Sequence, residues 1–364
     1  MRALVVATNV TPNDLHQRVL AGLHHRVDYF ELSQRFHEPY IDYNVVSPNK
    51  LLRRFEKKMR MDIRLARHAA RVAAREGYDL VISLSERVGI PLAALLPRDI
   101  AHIVIMHHPM SPPKIRMIQT LGLARRWRQI MTLSQAEATG IETALGLPTG
   151  SVKPLQTPVD VDFYRPLNGI PPEQQDHIQS LGLSHRDYPT LLRAMRRLPD
   201  ITCHLRVGST WVAGKAGHEN EELPPNVVLQ PFVQPHELRE CYARSRFIVV
   251  PIRDSTQWSA GCTSVQAAQA MGRAVVATAM PGLSDYLING ETGILVGIGN
   301  DQEMAEAIEY LWRNPEVAEQ MGRRGREWLA ANFSLDQWLD QLVSAAHSVL
   351  NLPQQRTVST DLQA

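Results

Sequence analysis

Short apolar-rich runs, each about the length of a buried strand, recur at residues 4–7, 80–83, 102–106, 130–133, 203–207, 227–229, 248–250 and 275–277. Between them apolar residues return every third or fourth position, the spacing of an amphipathic helix. Residues 26–30 (RVDYF) read as a further strand. One long helix is expected over 50–76, with Phe55, Met59, Ile63, Ala66, Ala70 and Ala73 on one face. Helices are also expected over 302–312 and 334–350. Strands buried on both faces and separated by helices predict parallel sheets, the α/β class. Residues 154–172 are proline-rich and aperiodic, the composition of a linker. The pattern gives a first unit over 1–160, a second over 161–333 and a helix over 334–350 that crosses back to the first. A polar tail over 351–364 is expected to be disordered. No internal repeat is visible.

Residues 257–278, QWSAGCTSVQAAQAMGRAVVAT, carry the strongest chemical signal. The strand at 248–250 leads to a turn at Gly261, Cys262 and Thr263 that opens a helix of small and apolar residues. Gly272 ends that helix, and the strand at 275–277 follows. A turn that opens a helix presents free N–H groups and the positive end of the helix dipole, which suits a diphosphate. Gly261, Cys262 and Thr263 are therefore the candidate cradle, with the Thr263 hydroxyl as a further donor. The alternative is a capped core helix with no ligand.

This segment resembles that of the family 4 glycosyltransferases of GT-B fold. Gly261, Ala270, Met271, Gly272 and Val275-Val276-Ala277 match the family pattern. So do Asp79-Leu80-Val81-Ile82 with Glu86 to Pro91, Leu133-Ser134, Leu145 to Pro148, Pro158-Val159-Asp160, Phe163 to Pro166 and Asn289 to Val296, in the family's order. The resemblance implies two Rossmann-like domains with parallel sheets facing across a cleft. The first would bind an acceptor and the second a nucleotide diphosphate sugar. The implied reaction is sugar transfer with retention at the anomeric carbon, with no metal and no cofactor beyond the donor.

The family's two glutamates, eight residues apart, are replaced here by Ser259 and Ala267. By resemblance, Arg186 takes the place of a phosphate-binding lysine, while Leu183 stands where a first basic residue is usual. His107 and His108, at the end of a strand, would face the transferred sugar. Asp254, Gln257 and Ser259 would contact the donor sugar, and Gln266 would meet the ribose if the helix were shifted by one residue. Each has a plainer reading: Arg186 paired with Asp187 or Glu173, a histidine capping a strand end, a polar loop. A second function also fits: a non-catalytic GT-B protein acting as partner or regulator of an active transferase. The replaced glutamates and Leu183 favour it, whereas the glycine turn and the histidine pair oppose it.

At 364 residues the chain can build two cores, and 44% hydrophobic with 21% charged residues is ordinary for a globular protein. No apolar run approaches 18 residues, and the N-terminal run reads as a strand. Cys203, Cys241 and Cys262 form no CxxC pair, which points to a reducing, cytoplasmic setting. Charge is divided unevenly: residues 1–160 carry 22 Lys/Arg against 14 Asp/Glu, and the remainder 17 against 23. The run from Lys50 to Arg75 holds ten basic residues against Glu56 and Asp62. It is open to three readings: a solvated helix face, contact with an anionic membrane or lipid-linked acceptor, or nucleic acid, the last not expected without an aromatic platform. Asp160-Val161-Asp162 mimics a metal motif but lies in the linker. Gly208 to Lys215 (GSTWVAGK) mimics a phosphate loop, with one residue too many between its glycines. His24-His25 has no partner pattern and reads as surface.

Overall fold

The computed structural model describes residues 1–47, 49–171, 174–208 and 222–351, and Leu51 by its backbone. Most of GSTWVAGK, Glu173 and the tail from residue 352 lie outside the described residues. Two parallel six-stranded sheets organise the fold. The first comprises β1 (Ala3–Val6), β2 (Tyr40–Ile41), β3 (Leu80–Ser83), β4 (Ala101–Met106), β5 (Gln129–Thr132) and β6 (Val152–Pro154), in the order β2-β1-β3-β4-β5-β6. The second comprises β7 (Ile178–Leu181), β8 (Cys203–Arg206), β9 (Val227–Gln230), β10 (Ile248–Val250), β11 (Val275–Thr278) and β12 (Ile294–Val296), in the order β12-β11-β10-β7-β8-β9. The two-sheet α/β plan expected from the sequence is the one observed.

Helices α1 (Leu15–Leu20), α2 (Asp28–Phe36), α3 (Lys50–Met59), α4 (Ile63–Glu76), α5 (Glu86–Leu95), α6 (Pro112–Thr120) and α7 (Gln135–Leu145) belong to the first sheet. Helices α8 (Tyr188–Arg196), α9 (Pro235–Arg244), α10 (Cys262–Ala270), α11 (Asp301–Arg313) and α12 (Pro315–Asn332) belong to the second. Strands such as β1 and β10 are apolar throughout because both faces are covered, whereas β7 carries Gln179 and Ser180 and the edge strand β9 leaves Val228 and Leu229 exposed. In β1, Leu4 and Val6 face a core with α4 and α5, while Ala3 and Val5 face one with α2. Helix α13 (Leu335–Val349) packs Leu335, Trp338, Leu339, Leu342 and Ala346 into that second core, beside Leu32 and Phe36. Arg26 pins the crossing by pairing with Asp160, Asp162 and Asp336. Both carboxylates of the Asp160-x-Asp162 pattern are thus held by an arginine.

Three expectations need correction. Residues 26–30 are not a strand. Tyr29, Leu32, Ser33 and Phe36 form the buried face of α2, an i, i+3, i+4, i+7 set that a five-residue window cannot reveal. The sheet takes Tyr40–Ile41 instead. The helix expected over 50–76 breaks into α3 and α4 at Arg60, whose φ of 51° is left-handed. Buried Glu56 makes the corner, taking the Arg64 N–H on one oxygen (2.6 Å) and the Arg64 Nε on the other (2.8 Å). Phe55 and Met59 consequently face outward, Phe55 at 50% exposure. Finally, His25 is not a free surface residue but half-buried: it packs against Phe163 and Tyr164, and burial pushes its pKa down to about 4.

Candidate functional site

The loop between β10 and α10 builds the centre of the site. Gly261 caps α10 with φ at 89°, and a Cβ there would lie 2.9 Å from Ile252 Cδ1 and 3.0 Å from Val250 Cγ1. Only glycine allows the turn to lie this close to the strand. Among the described residues the Gly261 N–H meets no internal acceptor. Thr263 is exposed in the first turn. Cys262 contributes less than expected, because its N–H goes to the Ser259 carbonyl and its side chain is buried. Burial pushes the thiol up to about 11.

Arg186 lies beneath this turn at 6% exposure. The chain reaches it from β7 through Gly182 (φ 110°) and His185 (φ 56°). Its Nε donates to the Leu181 carbonyl (2.9 Å), Nη1 to the Ser184 carbonyl (3.2 Å) and Nη2 to Ser264 Oγ (2.7 Å). A Cβ on Gly182 would stand 2.6 Å from Nη2. The expected alternative partner Asp187 instead caps α8, accepting from Thr190 N. No carboxylate pairs with the guanidinium among the described residues, and burial lowers its pKa. A buried cation and a helix N-terminus therefore point at one place with no anion between them, an arrangement that favours a bound anion.

His108 closes the other side. Its Nε2 lies 2.8 Å from Thr256 Oγ1 of the second unit, and its ring centroid 6.3 Å from that of His185. Burial, then Lys114, pushes His108 down to about 4, so the ring is neutral near pH 7 and acts as a hydrogen-bonding group. The backbone N–H of the neighbouring His107 donates to Glu86 Oε2 at 2.9 Å. Burial would raise Glu86, but Lys114, ion-paired to it, and His107 outweigh burial and hold it down to about 2. His108, Thr256 and His185 thus lie together where the two units meet, with exposed Asp254 and half-buried Gln257 on the loop that carries Thr256 and leads to Gly261.

Two expected donor residues face elsewhere. Gln266 is 1% exposed; its Oε1 accepts from Thr157 Oγ1 (2.7 Å) and its Nε2 donates to the Thr157 carbonyl (2.5 Å). The helix keeps its register, so the amide is spent on the linker, and Ala267 lies in an apolar cluster. Ser259 is also buried, with its Oγ 2.5 Å from where a Cβ on Gly282 would stand. Its N–H donates to Glu137 Oε1 of α7 at 3.2 Å. Glu137, Thr256 and His185 were not singled out from the sequence. Glu137 reads there as the third helical residue after the cap Ser134, and nothing local marks its reach across the cleft.

Comparison with known proteins bears on the family and the fold. The family described as "Glycosyltransferase Family 4" matches residues 17–163, and that described as "Glycosyl transferases group 1" matches 183–328. A D-inositol 3-phosphate glycosyltransferase from Paenarthrobacter aurescens is 25% identical over 265 residues, 66% of this chain and 63% of that protein. A trehalose synthase from Pyrococcus horikoshii is 31% identical over 111 residues, 30% of this chain and 26% of that protein. The chain thus spans less than two thirds of the length of these relatives. The sucrose-phosphate synthase of Thermosynechococcus elongatus superposes with a TM-score of 0.74 at 14% identity, over 96% of this chain and 99% of that one. The Anabaena protein Alr3699/HepE, solved with UDP and glucose, gives 0.67 at 16% identity, over 96% and 100%. At such identities the structures establish the shared fold. With one family matched in each half and the fold common to both structures, the chain belongs to the family 4 glycosyltransferases of GT-B fold.

Proposed function

We propose that the crevice where the two units meet binds a nucleotide diphosphate sugar and that the chain transfers the sugar to an acceptor with retention. The observation that carries this reading is Arg186: a buried guanidinium with no carboxylate, hydrogen-bonded to Ser264 under the Gly261 turn. An anion at the turn would receive the free Gly261 N–H, the helix dipole and the Arg186 field together. Those groups stabilise the departing diphosphate without a metal or a further cofactor. In the transfer, the acceptor oxygen bonds to the anomeric carbon as the bond to the diphosphate breaks. The acceptor proton passes to a diphosphate oxygen. Neutral His108 orients a sugar hydroxyl, and Asp254 and Gln257 border the sugar. Two relatives named for inositol phosphate and sucrose phosphate chemistry, with the basic first half, support a phosphorylated or otherwise anionic acceptor. The exposed Phe55 and Met59 among Arg53, Arg54, Lys57 and Lys58 support peripheral contact of α3 with an anionic membrane from the cytoplasmic side.

The second reading, a non-catalytic partner of an active transferase, draws on Gln266 and Ala267: neither offers a ribose acceptor to the crevice. A donor screen that measures nucleoside diphosphate release separates the two. Turnover of any nucleotide sugar establishes the enzyme. Binding without turnover across the panel favours the partner, and no binding at all removes the donor site.

A further inference from the structure

The seam between the two units holds a carboxylate that the proposed transfer does not use. Glu137, on the first turn of α7, is fully buried, and so is Ser259 opposite it. The Ser259 N–H donates to Glu137 Oε1 across the domain boundary at 3.2 Å. Glu137 Oε2 and Ser259 Oγ are both buried without a hydrogen-bond partner. The neighbouring contact is close as well: a Cβ on Gly140 of α7 would lie 3.0 Å from Trp258 Cζ3. The residues after Ser259 are those of the Gly261 turn, so whatever fixes Trp258-Ser259 also fixes that turn.

The groups that face Glu137 supply no positive charge. From α10 comes Cys262, and beside the turn Leu283–Asp285 comes Tyr286; both are held in their neutral forms by burial. Asp285 on that turn accepts the Gln135 N–H at 2.6 Å. The Trp258-Ser259 segment brings only uncharged groups. A neutral carboxyl suits this setting: one oxygen accepts from Ser259 N–H, and the other carries a donor where an ionised group has acceptors only. A bare carboxylate here is a buried charge without a counter-ion.

We propose that Glu137 is a positioning residue that fastens the Trp258-Ser259 segment to the first unit, and that this fastening depends on the carboxyl keeping its proton. Burial pushes the group from 4.5 up to about 7, against the Ser259 N–H and the nearby polar groups of Leu133 and Ser134, which pull it down. A carboxyl with a raised pKa in the fastened form favours that form at low pH. The preference weakens as pH rises from the ordinary value toward about 7 and is level above it. Across that window the closing equilibrium falls by up to about tenfold per pH unit. The effect on donor binding rests on the Gly261 turn being the diphosphate site; the fastening itself does not.

The test is small-angle scattering of the ligand-free full chain between about pH 5 and about pH 8, with UDP calorimetry on the same samples. The wild type is expected to be compact at the acid end and to expand toward the alkaline end. Glu137→Gln, which keeps an acceptor and a donor but cannot ionise, should stay compact at both ends. Glu137→Ala should be expanded at both. UDP affinity should follow compactness in each protein. The same pH response in the wild type and the Gln variant overturns the proposal, and so does an Ala variant that scatters like the wild type at both ends. Should Glu137→Ala fail to fold, the wild-type and Gln comparison decides alone. If the scattering changes occur as expected but UDP binds none of the proteins, the fastening stands and the donor site is what fails.

Discussion

Arg186 Nη2 donates to Ser264 Oγ at 2.7 Å, and Ser264 lies in the first turn of the helix that Gly261 opens. One side chain from the end of β7 is thereby tied to the turn after β10, and its charge is placed under that turn without an anionic partner.

Arg186→Ala should weaken UDP binding by about 1.5–3 kcal/mol, the scale of a hydrogen bond to a charged group. Uridine, which lacks the diphosphate, should bind almost unchanged. Calorimetry with both ligands checks this; equal losses would mean that Arg186 shapes the fold and not the anion site.

Gly261→Ala should destabilise the chain by about 2 kcal/mol or more. The left-handed conformation costs roughly 1–2 kcal/mol for a residue with a Cβ. The contact with Ile252 at 2.9 Å adds an overpacking term. Urea unfolding measures the loss, and a midpoint within error of the wild type would contradict the role given to the turn.

Gln266→Ala removes both hydrogen bonds to Thr157 and leaves the Thr157 carbonyl buried and unpaired. A loss of about 1–3 kcal/mol is expected. If Gln266 touched the ribose instead, nucleoside affinity would fall while stability held, so measuring both separates the alternatives.

Anionic vesicles should retain the protein at low salt and release it at high salt, where the screening length contracts to about 3 Å at 1 M. Neutral vesicles should not retain it. Replacing Lys57 and Lys58 by Glu should abolish retention with stability changed by no more than about 0.5 kcal/mol, since both are exposed. Retention of the double variant on anionic vesicles would remove α3 from the contact.

Stability should decline in acid through His102. Its ring is buried beside Ser83 Oγ (2.6 Å from Nε2), and burial, then Arg126, pushes it down to about 3. A histidine held neutral in the fold contributes fully above the ordinary 6.5, and the fold loses stability as pH falls from there toward about 3. The loss reaches at most about 1.4 kcal/mol per pH unit. Urea unfolding of the wild type and His102→Asn from about pH 7 to about pH 5 checks it; an equal slope in both would assign the acid loss elsewhere.

Most strands were legible in the sequence because covered strands leave short apolar runs, as at Leu80 to Ile82; β2, β6, β7 and β12 were not, β7 because Gln179 and Ser180 interrupt its apolar run and the others because they are only two or three residues long. The glycine turn was legible because Gly261 and Gly272 punctuate an otherwise small and apolar helix. Helix α2 was not, since its buried set needs eight residues to show its period. The break at Arg60 carries no glycine or proline, and Glu56 makes it through a carboxylate bonded eight residues away. Ser259 and Gln266 were placed at the donor by their neighbours in sequence. Ser259 instead bonds Glu137 through its backbone N–H and Gln266 bonds Thr157 through its side chain, each more than a hundred positions away, and no local pattern encodes such pairs.

Helix α13 has a consequence for how the chain is made. The core of the first unit includes Leu335, Trp338, Leu339, Leu342 and Ala346, which follow its last strand by some 180 positions. At a synthesis rate of roughly 5–20 residues per second, that unit waits on the order of ten to forty seconds for its final layer. During this interval the groove beside Leu32 and Phe36 is uncovered on the nascent chain. It is the surface a chaperone has most reason to shield, and the second unit must be synthesised before the first can be finished.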